Sequence, residues 1–141
     1  MKRQLHALHC LITTCLLASF SSVRAADHDA HSPPVISGEP AAALLVNPPL
    51  AETLARGLVV VPFRTEHLKI VPVYGEAALA IVPRIGHLHV SVDRAPWHWL
   101  HASEEPIVVQ GLSHGPHQLT LELADANHHP LAVQTLEFVV P

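Results

Sequence analysis

Alternation of apolar and polar residues is most regular in the second half of the chain. Leu88, Val90 and Val92 alternate with His87, His89, Ser91 and Asp93, and Leu119, Leu121 and Leu123 alternate with Gln118, Thr120 and Glu122. Leu136, Phe138 and Val140 alternate with Thr135, Glu137 and Val139. Successive side chains of a strand point to opposite faces, so each stretch predicts a strand with one buried and one polar face. Ile107-Val108-Val109 predicts a shorter one. In the first half, residues 58–63, 68–74 and 78–82 are short apolar runs punctuated by proline and glycine. They predict strands too, with Pro62 and Pro72 confining parts of them to edges or bulges. Residues 47–57 hold room for one helical turn, stopped by Gly57. Six to seven strands at this spacing, with no long helix, predict an all-β fold, an antiparallel β-sandwich.

The beginning of the chain has a different pattern. Lys2 and Arg3 precede an apolar run from Cys10 to Phe20, and small or polar residues follow up to Val23-Arg24-Ala25. Charge, apolar core and small-residue site in that order predict a cleavable signal peptide over residues 1–25. The apolar core has about half the ~20 residues that a membrane span needs. A cut after Ala25 places Val23 and Ala25 at the positions where signal peptidases want small or β-branched side chains, whereas a cut after Ala26 would put Arg24 there. Residues 26–46, with Pro33, Pro34 and Pro40 and no apolar period, predict a flexible lead-in, and residues 47–141 the folded domain.

Cleavage changes the composition. Both cysteines (Cys10 and Cys15) leave with the leader, so the mature domain has no thiol for a disulfide, metal or nucleophile. Five basic residues remain against twelve acidic ones, hence a formal charge of −7. An acidic chain argues against nucleic acid and anionic membranes as partners. No later segment is long and apolar enough to span a membrane. The expected location is periplasmic or secreted.

Turn chemistry adds topology. In Gly111-Leu112-Ser113-His114-Gly115-Pro116-His117, a Leu, a Gly turn and a ring side chain open an alternating strand. An immunoglobulin-like sandwich turns its E–F corner in this way, usually with a tyrosine whose hydroxyl bonds to the backbone. His117 is expected to stand in for that tyrosine. Residues 125–130 then form the F–G turn.

Several segments also resemble a family of small secreted bacterial proteins catalogued only as a domain of unknown function. They are Leu50-Ala51-Glu52 with Ala55-Arg56-Gly57-Leu58-Val59-Val60, Arg84-Ile85-Gly86-His87-Leu88-His89-Val90, Ala95-Pro96-Trp97-His98-Trp99, and the run from Gly115-Pro116-His117 to Ala124-Asp125. The resemblance covers the chain from about Asn47 to its end. It implies an immunoglobulin-like sandwich and supplies no catalytic residue.

Eleven of the thirteen histidines lie beyond the leader. If the strand over residues 86–93 is C and that over 117–124 is F, the two run antiparallel as neighbours. That gathers His87, His89, Asp125, His128 and His129 at one pole of the sandwich, and His98, His101, His114 and His117 at the other. His87 and His89 share a face, about 7 Å apart by strand rise. Imidazole suits zinc, copper and nickel, and a thiol-free site favours Cu(II), Ni(II) or Zn(II) over Cu(I). The bland alternative is that these are solvated strand and turn residues, or groups that titrate near pH 6.5 without any metal.

Cleavage after Ala25 creates a second candidate. Ala26-Asp27-His28 would present a free amine, two backbone amides and a third-position imidazole, a square-planar four-nitrogen set suited to Cu(II) or Ni(II). His31 lies close enough in sequence to add a ligand. Two further motifs have plain explanations. Gly111-Leu112-Ser113-His114-Gly115 has the G-x-S-x-G spelling, but between two predicted strands it is a turn, because the nucleophile elbow needs a strand-to-helix turn in a large parallel sheet. Trp97 and Trp99 are either a ligand platform or a plug at the sandwich end, and aromatic burial favours the plug. The expected function is an exported, non-enzymatic binding module that holds a divalent metal through histidines. The alternative is a structural or protein-interaction module in which they are incidental.

Overall fold

A computed structural model describes residues 38–141, and the proposed leader, the terminal Ala26-Asp27-His28 set and most of the lead-in lie outside them. Among the described residues the chain forms nine strands: β1 (Ala43–Val46), β2 (Leu58–Val61), β3 (Phe63–Glu66), β4 (Lys69–Ile70), β5 (Ile85–Val92), β6 (Trp99–His101), β7 (Ile107–Gln110), β8 (Gly115–Asp125) and β9 (Pro130–Val140). The fold is mostly β, built from several sheets and consistent with an all-β sandwich. No helix among the described residues is long and apolar enough to cross a membrane.

The largest sheet runs β4-β5-β8-β9, and β6 also pairs with β5. Strands β5, β8 and β9 are antiparallel neighbours, with Gly86 opposite Asp125 and Leu119 opposite Leu136. Two smaller antiparallel sheets pair β1 with β3 and β2 with β7. One hydrophobic core unites the inward residues of these sheets. Leu88 and Val90 of β5, Leu119, Leu121 and Leu123 of β8, and Val59 and Val61 of β2 are each 0 % exposed. Each such aliphatic side chain contributes about 1.5–3 kcal/mol through burial. With these apolar residues on the inner face, His87, His89, Ser91, Thr120 and Glu122 fall on the other face of the large sheet.

Several elements depart from the pattern-based expectation. There are nine strands because the 58–63 run splits at Pro62 into β2 and β3, β1 pairs with β3, and β6 adds to an edge of β5. β4 joins it in parallel at Ile85 and Gly86, while β6 joins it antiparallel at Leu88 to Val90. Residues 43–46, expected in the lead-in, form β1, whose Leu44 enters the core. The apolar run at 78–82 is not a strand: Glu76–Ala80 is a 3₁₀ turn. Short apolar runs cannot be assigned by period alone, and Glu-Ala-Ala-Leu-Ala consists largely of helix formers. The run at 68–74 retains only two strand residues. The helical turn at Ala51–Leu54 ends as expected before Gly57, whose φ is +73°.

Candidate metal centre

Three ring nitrogens converge at one end of the β5–β8 ladder. His87 Nε2 lies 3.1 Å from His89 Nε2 and 3.1 Å from His128 Nδ1, and His89 Nε2 lies 3.0 Å from His128 Nδ1. Among the described residues, this is the one group of three or more metal-ligating side chains whose ligand atoms lie this close together.

The backbone explains the convergence. His87 and His89 alternate with the core leucine and valines of β5 and so share its outer face. The β5–β8 register puts Gly86 opposite Asp125, which brings the start of β5 beside the β8–β9 turn. His128 sits at the tip of that turn with φ of +64°. Asp125, 4 % exposed, holds the turn: Oδ1 accepts from the backbone N–H groups of Asn127 (2.8 Å) and His129 (2.9 Å), and Oδ2 lies 3.0 Å from His129 Nδ1. Asp125 and His129 thus stand at the predicted pole but pair with each other, and the carboxylate organises the loop that presents His128. Gly86 permits the close approach of the strands, since a Cβ there would meet the Ala124 carbonyl oxygen at 2.1 Å.

Two neighbours, Glu122 and Tyr74, shape the triad. Glu122, directly across the ladder from His89, accepts from His89 Nδ1 at 2.9 Å. That fixes the hydrogen on Nδ1 and leaves the Nε2 lone pair facing the cluster, the carboxylate–histidine arrangement found behind metal ligands. Tyr74 packs edge-on against the His87 ring (centroids 5.2 Å apart) and stacks on His128 (6.1 Å). Its segment is tied down by the Gly75 N–H bond to the Ala126 carbonyl and by the Val71 N–H bond to the Gly86 carbonyl.

The electrostatics favour a neutral imidazole at His87. Desolvation, then the neighbouring His128 and His89, lower the pKa of His87 to about 4, with Asp125 acting weakly the other way. His87 is 0 % exposed, and its Nδ1 has no hydrogen-bond partner among the described residues.

Hydrogen bonding cannot satisfy this triangle. A ring nitrogen carries either a hydrogen or an in-plane lone pair, never both. One donor among three leaves two lone pairs face to face, and two donors leave two N–H groups face to face. Every arrangement of protons therefore leaves a repulsive pair. A cation removes the conflict, because all three lone pairs then point at one charge. Nitrogens this close together could all reach one ion at the usual bond length of about 2.0–2.1 Å.

The histidines expected at the opposite pole do not form a second cluster. His117 Nδ1 lies 2.8 Å from Asp93 Oδ2, and His117 Nε2 donates to the Ser113 carbonyl at 2.9 Å. This is the backbone bond expected of a tyrosine substitute at the corner. His114 bonds to the Pro141 carbonyl oxygen, and His101 Nε2 to that of Glu105. His98 belongs to the other end: its ring stacks on His89 with centroids 4.4 Å apart. The reason is that β6 reverses direction and pairs back along β5, returning the preceding loop toward His89. Ser113 lies exposed between two strands, as the turn reading requires. Trp97 is 60 % exposed and is no core plug, whereas Trp99, its ring 6.3 Å away, is half-buried and packs against the core.

Three residues at the site escaped the sequence reading: Glu122, Tyr74 and the placement of His98. Extending the Gly86–Asp125 register by three residues would have found Glu122. Nothing in the pattern marks Tyr74.

Fold and site together define a mostly β module with a three-histidine candidate metal centre on the outer face of its largest sheet. The chain belongs to the family of unknown function DUF6130, whose model matches residues 4–141. That match extends well ahead of Asn47, where the resemblance read from sequence begins. No curated protein and no solved structure matches the chain.

Proposed function

We propose that this chain is an exported, non-enzymatic module that binds one divalent metal ion, Zn(II), Cu(II) or Ni(II), through His87, His89 and His128. The observation that carries this reading is the triangle of ring nitrogens at 3.0–3.1 Å, for which no proton arrangement is free of repulsion. The neutral state of His87 and the Glu122 contact behind His89 support it, because a metal needs imidazole lone pairs that are both free and aimed. Asp125 and His129 act in support, through the turn. Imidazole donors leave the choice among the three ions open to geometry and supply.

The export part of this proposal rests on the charge, apolar core and small-residue order of residues 1–25. The terminal Ala26-Asp27-His28 set is proposed as an independent Cu(II) or Ni(II) site of the mature chain. An immunoglobulin-like topology is proposed for the domain. The antiparallel order β5-β8-β9, the β2–β7 pair and the bond from His117 to the Ser113 carbonyl support it.

Isothermal titration of the mature protein with each ion tests the reading, using His28→Ala to remove the terminal set. The expected result is one-to-one binding in His28→Ala that disappears when His87, His89 and His128 are all replaced. If His28→Ala binds no ion more tightly than free histidine does, the metal reading fails. A specific observation favours the second reading, a protein-interaction module: Trp97 (60 %) and Leu100 (45 %), three residues apart in sequence, are both exposed. Failure of the titration would leave that reading standing.

A further inference from the structure

Resting on the metal reading, we propose that the loaded centre keeps one coordination position open on its outer side and takes a small monodentate anion there.

Ligand count comes first. The three nitrogens stand alone as a group among the described residues. First-row divalent ions with imidazole donors take at least four ligands, and a site with three protein ligands leaves the last place to water or an added molecule. Asp125 does not fill it, because both its oxygens are engaged by the turn. Glu122 does not either, since its Oε1 faces the far nitrogen of His89. His98 stacks on His89 with only 28° between ring planes. The lone pairs of a stacked imidazole lie in its own plane, nearly parallel to that of His89, so His98 covers the ligand and does not coordinate alongside it.

Burial then gives the direction. His87 is buried, His89 intermediate and His128 exposed, so protein cover thins from the strand toward the turn tip. Tyr74 closes the side formed by His87 and His128. The uncovered side is the outer one.

Charge gives the ligand class. Three neutral histidines leave a divalent ion its full double charge, and Glu122 is the one carboxylate that touches a ligand ring without a competing turn role. The loaded site is therefore cationic overall and suits a compact anion.

Cobalt(II) and azide test the inference in the full mature chain carrying His28→Ala. Uptake of one equivalent of Co(II) gives a visible band stronger than that of the aqueous ion, and azide is then titrated in. The expected result is a saturable shift of that band, retained in His98→Ala. Co(II) uptake with a spectrum that azide does not change overturns this inference, because the last position is then held by a protein group, while the metal reading survives. An azide response that appears only in His98→Ala also overturns it and makes His98 that group. No uptake of Co(II), Zn(II), Cu(II) or Ni(II) above the level of the triple histidine variant refutes the metal reading itself.

Discussion

Replacing Glu122 by Gln isolates the contribution of a residue that touches a candidate ligand but no metal. Its Oε1 receives the Nδ1 hydrogen of His89 at 2.9 Å, with side-chain exposures of 33 % for the glutamate and 11 % for the histidine. Glutamine keeps the shape and removes the charge. Its amide can also present N–H to Nδ1, which moves the ring hydrogen to Nε2 and blocks the lone pair that the metal needs. Removing such partners costs about 10–100-fold in metal affinity. Because the glutamate is one-third exposed, the lower end applies, about tenfold or ~1.4 kcal/mol.

The assay is competitive Zn(II) titration at pH 7.5 against a chelator, with His28→Ala as the reference protein. Metal-free stability, followed by urea unfolding, should change by about 0.5 kcal/mol or less, since the pair sits at the sheet surface. A double-mutant cycle locates the effect. If Glu122 acts through His89, Glu122→Gln causes no further loss in a His89→Ala background. An affinity unchanged within twofold, or an equal loss in both backgrounds, would refute the claim that Glu122 orients His89.

Gly86→Ala should destabilise the domain by about 3 kcal/mol, the upper end for overpacking, because the new Cβ meets backbone and not a movable side chain; urea unfolding reads this, and Zn(II) affinity should fall with it as β5 and the His128 turn are pushed apart. His117 has both ring nitrogens against acceptors, and the Asp93 side chain, then the Ser113 carbonyl, raise its pKa above 6.5. Its stabilisation is therefore complete below pH 6.5 and lost as pH rises through the folded value. His117→Phe should remove that alkaline fall in the metal-free protein, as judged from unfolding at pH 6 and pH 8.5. The opposite sign holds for His87: its folded value of about 4 lies below 6.5, so it withdraws stability as pH falls from 6.5 toward 4. His87→Leu should flatten that acid limb, stabilise the metal-free domain by about 1 kcal/mol and lower Zn(II) affinity. An unchanged acid limb would count against the burial of a neutral imidazole there.

Legibility in the sequence tracked the physics of each element. Strands β5, β8 and β9 were readable because one face of each packs on a shared core, which forces strict alternation at Leu88-Val90-Val92 and Leu119-Leu121-Leu123. With β5 and β8 as antiparallel neighbours, the meeting of His87, His89 and His128 follows from register. β4 and β6 were not readable as edge partners, since two or three residues cannot express a period. The 3₁₀ turn at Glu76–Ala80 is held by contacts of Ala78 with Ile85 and Ala126, a small satellite core that no local pattern announces. His98 went to the wrong pole because its position depends on the reversal into β6, a tertiary event. Tyr74 belongs to the same class: a loop residue placed by backbone bonds to residues far along the chain.

The site is easier to understand as a compromise than as part of the sheet. At His87 the alternation of β5 is indifferent to identity, since an outer-face position only has to tolerate cover by Tyr74 and the His128 turn. A leucine or valine there would bury apolar surface with no polar atom to satisfy. Histidine instead brings one nitrogen with no partner and another into a triangle of repelling neighbours. An unsatisfied buried polar group costs about 1–3 kcal/mol, a large share of the marginal stability of a small domain. Glu122 and Asp125 increase the commitment, because each fixes a ring or a turn in the orientation that aims nitrogen at nitrogen. Groups arranged only for stability would turn the other way, each ring nitrogen toward an acceptor, as His117 does toward Asp93 and Ser113 at the opposite end of the same strands. The ring nitrogens of His117 are satisfied within the protein and those of the triad are not, a difference that supports the proposed metal site.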